Sequence, residues 1–241
     1  DPAERLDLAV ALAEAVSLDR DGCSSHAITL PARGWVDDVP PDYARCVRIF
    51  LAGATGVIGV RLVPLLVDAG YDVAGMTRSS VKAGLLEELG AEHVVCDVFE
   101  AEGLLTAVTA FRPGVVMHQL TDLPDDPARI GETAALNARI RREGTSNLLA
   151  AARAAGAPQF IAQSVAWQLS GDGGASIADH ETLVLASGGV VLRYGRFYGP
   201  GTYWERKLPQ HPRVQVDDAA RRTVSALGSE PGIVTIVDSE R

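Results

Sequence analysis

Residues 47–59, Val-Arg-Ile-Phe-Leu-Ala-Gly-Ala-Thr-Gly-Val-Ile-Gly, run an apolar stretch straight into three glycines spaced three apart, and few folds accept that combination. Val47 to Ala52 has the near-continuous hydrophobicity of a strand buried on both faces, and Val60 to Asp68 reads as a helix that starts as the glycines end. Strand, tight turn and helix in that order outline a dinucleotide site. Gly53 allows the sharp turn, Gly56 leaves no side chain between backbone and diphosphate, and Gly59 lets the helix close on the strand. Thr55, Val57 and Ile58 complete the turn, and the unpaired N–H groups of the helix start face the anion. Such spacing is easily met by chance in a chain with 24 glycines, so its position between strand-like and helix-like segments distinguishes it from an ordinary glycine-rich turn.

From Val47 onward the pattern alternates at the spacing of βαβ units. Strands are expected at 71–77, 93–96, 115–120, 159–165 and 189–193, with helices near 81–89, 100–111, 128–155 and 179–186. Gly90, Pro113-Gly114 and Gly156 followed by Pro158 mark the breaks. The fold class is α/β, a doubly wound parallel sheet. The expected organisation is an N-terminal extension over 1–46, a dinucleotide-binding domain over 47–201 and a small, abridged C-terminal substrate lobe over 202–241. In the extension, Leu6, Leu8, Ala9, Leu12, Ala13 and Val16 give one apolar helical face.

A formal charge of −9 disfavours nucleic acid or an anionic membrane as partner, so a cofactor phosphate must be met locally. No apolar stretch reaches the roughly 20 residues that span a bilayer, and the acidic N-terminal residues are unlike a signal peptide; the expected location is cytoplasmic. Three separated cysteines, Cys23, Cys46 and Cys96, do not make a disulfide framework. Cys23 and His26 lack a second pair at zinc-finger spacing, and no metal is expected.

The residues resemble the extended short-chain dehydrogenase/reductases, the group of NAD-dependent epimerases and dehydratases, from about Val47 to Asp238. The matching pieces are Gly53-Ala-Thr-Gly-Val-Ile-Gly59, Asp97 after the third strand, Val116-Met-His-Gln119, Gly144-Thr-Ser-Asn-Leu-Leu149, Gln163-Ser-Val165, Leu192-Arg-Tyr-Gly-Arg-Phe-Tyr-Gly-Pro-Gly201, Val216-Asp-Asp-Ala-Ala220 and Ile236-Val-Asp238. The resemblance implies that Asp97, with Val98 beside it, meets the adenine amino group, that His118 and Gln119 line the cofactor, and that residues 193–201, Tyr194 and Tyr198 among them, wrap the nicotinamide end. Asp97 also reads as a helix N-cap and His118 as a satisfied core histidine. At the end of the second strand, where an NAD binder places a carboxylate, Thr77 is neutral and Arg78 offers a planar donor fork. NADP is therefore favoured over NAD, with a solvated surface arginine as the alternative reading.

Members that transfer hydride use a tyrosine and, four residues later, a lysine on the helix after the fifth strand. Residues 178–186 hold neither, and the chain has only Lys82 and Lys207. Lys207 follows Tyr203 by four, but on a loop that would have to fold back over the nicotinamide. The asparagine usual three residues before Gly144 is replaced by Arg141. Ser164 remains as the hydroxyl that in the family polarises a substrate carbonyl. His180 and Glu181 lie on the tyrosine's helix, and Tyr198 offers a phenol, so the catalytic candidates are Ser164, His180 and Tyr198. Asp217 and Asp218 read as a helix N-cap. The expected activity is an NADP-binding oxidoreductase or epimerase with a degenerate Tyr/Lys site, acting on a small polar carbonyl, an alcohol or a nucleotide sugar. A catalytically silent NADP(H) sensor or scaffold and a cofactor-independent isomerase or lyase stay open beside it. Homodimerisation through residues 128–155 is implied by resemblance alone.

Overall fold

Alternating burial along each central strand sets the architecture. In the computed structural model, which describes residues 47–239, β1 (Arg48–Ala52) turns Ile49 and Leu51 to one side and Phe50 and Ala52 to the other, all fully buried. Burial of each large side chain stabilises by about 1.5–3 kcal/mol, and a one-residue slip would exchange the two sets, so the register is fixed. β2 (Asp72–Thr77), β3 (Glu92–Val95), β4 (Val115–His118), β5 (Gln159–Val165), β6 (Val190–Tyr194) and β9 (Gly232–Ile236) join β1 in one parallel sheet of order β3-β2-β1-β4-β5-β6-β9. On one face α1 (Gly59–Asp68) contributes Leu62, Val63 and Leu66, and α7 (Val216–Ser225) contributes Ala219 and Ala220. The other face carries α3 (Ala101–Phe111), α5 (Thr145–Ala154) and α6 (Gly171–Ala186), with Leu104, Val108, Leu148 and Val184 inside. The doubly wound parallel sheet is therefore the one expected. A short helix α2 (Ala83–Glu88) links β2 to β3, and β7 (Arg196–Tyr198) pairs in parallel with β8 (Arg213–Gln215) outside the main sheet.

The structure departs from expectation in four places. The helix expected over 128–155 is broken into a 3₁₀ turn over 127–133, α4 (Ala134–Arg139), a π-turn at Ile140–Gly144 and α5. Gly144 lies in that turn, where an added Cβ would press on Val98 at 3.2 Å. Helix α6 begins eight residues earlier than expected because Gly171, Gly173 and Gly174 read as loop. At Gly174 a Cβ would lie 2.1 Å from the carbonyl oxygen of Leu169, so a glycine is what lets that turn close. Residues 232–236, within the expected lobe, add a seventh strand beside β6. Finally, Gln215 rather than Asp217 or Asp218 caps α7, its side chain accepting from the Asp218 N–H at 2.8 Å. The two aspartates occupy the first turn, where the helix dipole favours them, and Asp217 binds Arg61 at 2.6 Å. The expected N-terminal helix, Cys23, His26 and Cys46 lie outside the described residues.

Candidate functional site

Strand order reverses between β1 and β4, and the carboxyl ends of strands at such a switch point form the crevice where open α/β sheets bind ligands. The glycines stand at that end of β1. Gly53 has φ +91°, and a Cβ there would lie 2.7 Å from the Gln119 backbone. One at Gly59 would lie 2.3 Å from the Gly53 carbonyl oxygen. These two let backbone approach backbone. Gly56 differs, since it is exposed and a Cβ would meet only the Gly53 carbonyl oxygen, at 3.3 Å. The start of α1 has no side-chain cap and no acidic residue in its first turn; the N–H groups of Val60, Arg61 and Leu62 are taken by the Gly56 and Ile58 carbonyls, which leaves those of Val57, Ile58 and Gly59 for an external acceptor. Exposed Val57 and half-buried Thr55, whose Oγ1 is 3.2 Å from Thr77 Oγ1, flank the turn, while Ile58 is buried under it. A dinucleotide pyrophosphate fits this cradle.

Arg78, Asp97 and Val98, brought together from β2 and the end of β3, line a small cavity with Met76, Phe99 and Leu120. Asp97 Oδ1 accepts from the Phe99 N–H at 3.0 Å, so it shapes its own loop rather than capping α3, and its other oxygen is unused by that bond. Arg78 Nη2 donates to Asp122 at 2.6 Å and the side chain remains half exposed, which makes it an ion-paired rather than a solvated arginine.

Ser164, at the end of β5, faces α6. Its hydroxyl donates to Glu181 Oε1 at 2.6 Å, and Arg193, its neighbour on β6, grips the same carboxylate through Nε at 2.9 Å and Nη2 at 2.5 Å. Burial pushes the Glu181 pKa up, but the hydrogen bonds from Arg193 and Ser164 outweigh it, and the group lies below the ordinary carboxylate value. Glu181 is therefore an anion, and the one proton of Ser164 is committed to it. Only oxygen lone pairs remain for a ligand. In this arrangement Ser164 presents an acceptor, not a donor, to a ligand. Sequence reasoning named Glu181 beside His180 without separating their roles, because only the register of α6 against β5 tells which one meets Ser164.

His118 and His180 form a closed relay. The Leu120 N–H donates to His118 Nδ1 at 3.2 Å, so the His118 proton is on Nε2, 3.2 Å from Thr145 Oγ1. The Thr145 hydroxyl then donates to His180 Nδ1 at 2.7 Å, and His180 Nε2 donates to the Gln163 carbonyl at 2.9 Å. Every donor and acceptor is used and both rings are buried, edge to face at 5.3 Å. His118 is thus a satisfied core histidine, and the His180 ring has no free nitrogen for a substrate. Burial first, then the repulsion a second imidazolium would meet from His180 and the Arg141 charge, hold His118 well below its usual 6.5; burial, aided by Arg141, also lowers His180. Because both folded values lie below the unfolded value, the unfolded chain takes up more protons once pH drops below 6.5. Stability is full above that value and declines as pH falls, by about 1.4 kcal/mol per pH unit for each histidine still neutral. A melting temperature that falls from pH 7 to pH 5 is expected; a flat profile would contradict the neutral relay. Glu181 acts only at lower pH: its contribution is full above the ordinary carboxylate value and is lost as pH falls from there through its depressed folded value.

The tyrosines are placed away from Ser164. Tyr194 is buried, donates to Thr223 Oγ1 at 2.6 Å and accepts from Gln119 at 3.3 Å, and burial raises its phenol far above the usual value. The Gln119 side-chain carbonyl is left buried without a partner beside the glycine turn. Tyr198 donates to Asp238 at 2.9 Å in a cavity of about 410 Å³ walled by Arg213, Asp218 and Arg222, with no residue from β5 or α6. The Tyr203 hydroxyl donates to the Pro124 carbonyl, on the segment after β4. Burial, Asp125 and Asp126 push its pKa up, the opposite of what a catalytic phenol needs.

Comparison with known proteins agrees with this geometry. The model of the NAD dependent epimerase/dehydratase family matches residues 49–187. Among curated proteins, a 3-diazoavenalumate denitrifying reductase from Streptomyces sp is 37% identical over 239 residues, covering 80% of this chain and 76% of the relative. The photosystem II assembly factor Ycf39 of Cyanophora paradoxa is 33% identical over 117 residues, 48% of this chain and 34% of the relative. Among solved structures, the UDP-glucose 4-epimerase of Thermus thermophilus in complex with NAD superposes with a TM-score of 0.66 at 23% identity, covering 80% of this chain and 78% of that one. The Bordetella bronchiseptica enzyme WbmH in complex with NAD+ gives 0.64 at 18%, covering 80% and 76%. At these identities the two structures establish the fold. Among the described residues, no helix is long and apolar enough to cross a membrane, and no group of three metal-binding side chains occurs.

Proposed function

The chain belongs to the NAD dependent epimerase/dehydratase family, whose members are oxidoreductase-like enzymes that use a nicotinamide dinucleotide, and on that footing we propose that it is an NADPH-dependent reductase whose substrate needs no proton from the protein. When bound, the reduced nicotinamide supplies a hydride. Gly53, Gly56 and Gly59 with the start of α1 hold its pyrophosphate, Asp97 and Val98 flank the adenine, and Arg78 meets the 2′-phosphate. Ser164, Glu181 and Arg193 form the wall facing the reacting carbon.

The observation that carries this reading is the commitment of the Ser164 proton to Glu181, together with the absence of tyrosine and lysine from α6. Reduction of a carbonyl leaves an alkoxide that must be protonated. An electron-poor carbon bearing a nitrogen leaving group makes no such demand. In an arenediazonium ion a C–H bond forms from the hydride pair, the C–N bond breaks, and N₂ departs with that bond's electrons. The lone pairs of an accepting Ser164 hydroxyl suit such a cation, with Glu181 balancing the Arg193 charge that would otherwise repel it. The Streptomyces relative, a denitrifying reductase by name, supports the same class. Consumption of NADPH with an arenediazonium salt, and none across a panel of aldehydes and ketones, is the expected result. Carbonyl reduction without diazonium reduction would overturn it.

Cofactor preference has its own test. Thr77 is buried and neutral, and Arg78 keeps donors beyond the one given to Asp122. Arg78→Ala is expected to weaken NADPH binding about tenfold or more, as loss of a charge-assisted contact does, and to leave NADH unchanged. Equal losses for both cofactors, measured by fluorescence titration, would contradict this.

A further inference from the structure

We propose that the guanidinium of Arg141 is the seat of an anionic group, a carboxylate or a phosphate, on the substrate. The inference rests on the reading above and adds the charge of the molecule reduced.

Arg141 stands in the π-turn between α4 and α5, a departure from helical geometry that recurs at functional sites. It is half-buried, and its side-chain contact is a long one, Nη1 donating to Ser176 Oγ at 3.3 Å, while the Ser176 hydroxyl gives its own proton to the Gly173 carbonyl. Among the described residues no carboxylate lies within 4.0 Å of it. Its neighbours are different. Arg139 forks onto Glu143, and Arg142 holds Asp172 and Asp179. Burial lowers the pKa of Arg141, and no anion acts against that. A cation desolvated without a counter-charge destabilises the fold, so the group that compensates it is sought outside the chain.

Position selects that group. Helix α6 runs back along β5, with His180 against the Gln163 carbonyl and Glu181 against Ser164. Ser176 precedes Glu181 by five residues, which carries it about 7 Å further along the helix, past the carboxyl end of β5 and over the crevice. Arg141, tied to Ser176 and close enough to His118 and His180 to act on both, is thereby carried on the α6 side of β5 toward the strand end that bears Ser164. In a chain of net charge −9, a local cation is what can hold an anion there.

The test is calorimetry on the full chain saturated with NADP+, using three unreactive probes: benzoate, phenyl phosphate and benzamide. Wild-type protein is expected to bind at least one anion about tenfold or more tighter than benzamide, and Arg141→Gln to erase that preference. NADP+ affinity should be unchanged, and the melting temperature of the cofactor-free variant should not fall, since an uncompensated cation has been removed. Arg141→Lys should keep part of the preference, which covers the case of a Gln variant that does not fold. Preference for neither anion in the wild type, or an unchanged preference in the variant, overturns the inference. A drop in melting temperature alone would make Arg141 structural, and a loss of NADP+ affinity alone would make it a cofactor ligand. Failure of wild-type protein to bind NADP+ would sink the preceding reading instead, and benzoate and phenyl phosphate can be titrated without cofactor to tell the two failures apart.

Discussion

Gly56→Asp is expected to abolish dinucleotide binding while leaving the fold intact. Gly56 is exposed, its φ is not in the left-handed region, and an added Cβ meets one atom at 3.3 Å. A carboxylate beside the uncapped start of α1 would even favour the empty protein, by about 0.3–1 kcal/mol through the helix dipole. Against a bound pyrophosphate the same charge repels, at about 4 kcal/mol for unit charges 4 Å apart near a protein surface. A loss of about 100-fold or more in affinity, with an unchanged melting temperature, follows from those two terms. Gly59→Ala separates the roles of the glycines, because its Cβ would sit 2.3 Å from the Gly53 carbonyl oxygen and the turn itself must give way. That variant should be less stable and melt lower, on the scale of overpacked sites, about 1–3 kcal/mol or more. Equal behaviour of the two variants in calorimetry and thermal melting would count against the cradle.

Glu181→Gln is expected to change which reactions the site supports. The carboxylate takes one proton from Ser164 and two N–H groups from Arg193, and only about a tenth of its side chain is exposed. An amide supplies one acceptor oxygen; with that oxygen kept on Arg193 Nη2, the N–H₂ group takes the Oε1 position facing Arg193 Nε and Ser164, so the Nε contact is lost and Ser164 accepts instead of donating, which makes its proton available. The melting free energy should fall by about 1–3 kcal/mol for an unpaired buried group. Turnover with an arenediazonium should fall about tenfold or more as Arg193, left without its counter-charge, repels the cationic substrate, while weak aldehyde reduction emerges through the freed hydroxyl. Parallel assays of both substrates read this directly. A uniform loss on both would mean that Glu181 only supports the fold.

These two sites were legible to different degrees. The glycine turn is local, since spacing, flanking hydrophobicity and backbone freedom all lie within thirteen residues, and the structure shows the left-handed turn at Gly53 and the close backbone approach at Gly59. The strands were equally open because both faces of each central strand are buried and leave long apolar runs. The π-turn was hidden, for the Ala, Leu and Arg residues of 128–155 outweigh Gly131 and Gly144 and read as one helix, whereas the close approach of Val98 to Gly144 at Ile140–Gly144 is a tertiary contact. Helix α6 hid its first eight residues behind glycines. The Ser164–Glu181–Arg193 group could be suspected from residue types but not assembled, because it joins β5, α6 and β6 through one register. His118 and Tyr194 show the same limit: polar residues at strand ends read as ligand contacts, whereas tertiary packing gives each a full set of internal partners.

The central claim is that a dinucleotide seated on the glycine turn delivers its hydride to a carbon that takes no proton from the protein. Turnover of an arenediazonium carboxylate with NADPH deuterated at the transferring position tests it most directly, with the product read by mass spectrometry and NMR. The predicted product carries one deuterium on the ring carbon that held the nitrogen. An arene bearing hydrogen from solvent at that carbon, or no product beyond the protein-free control, would contradict it.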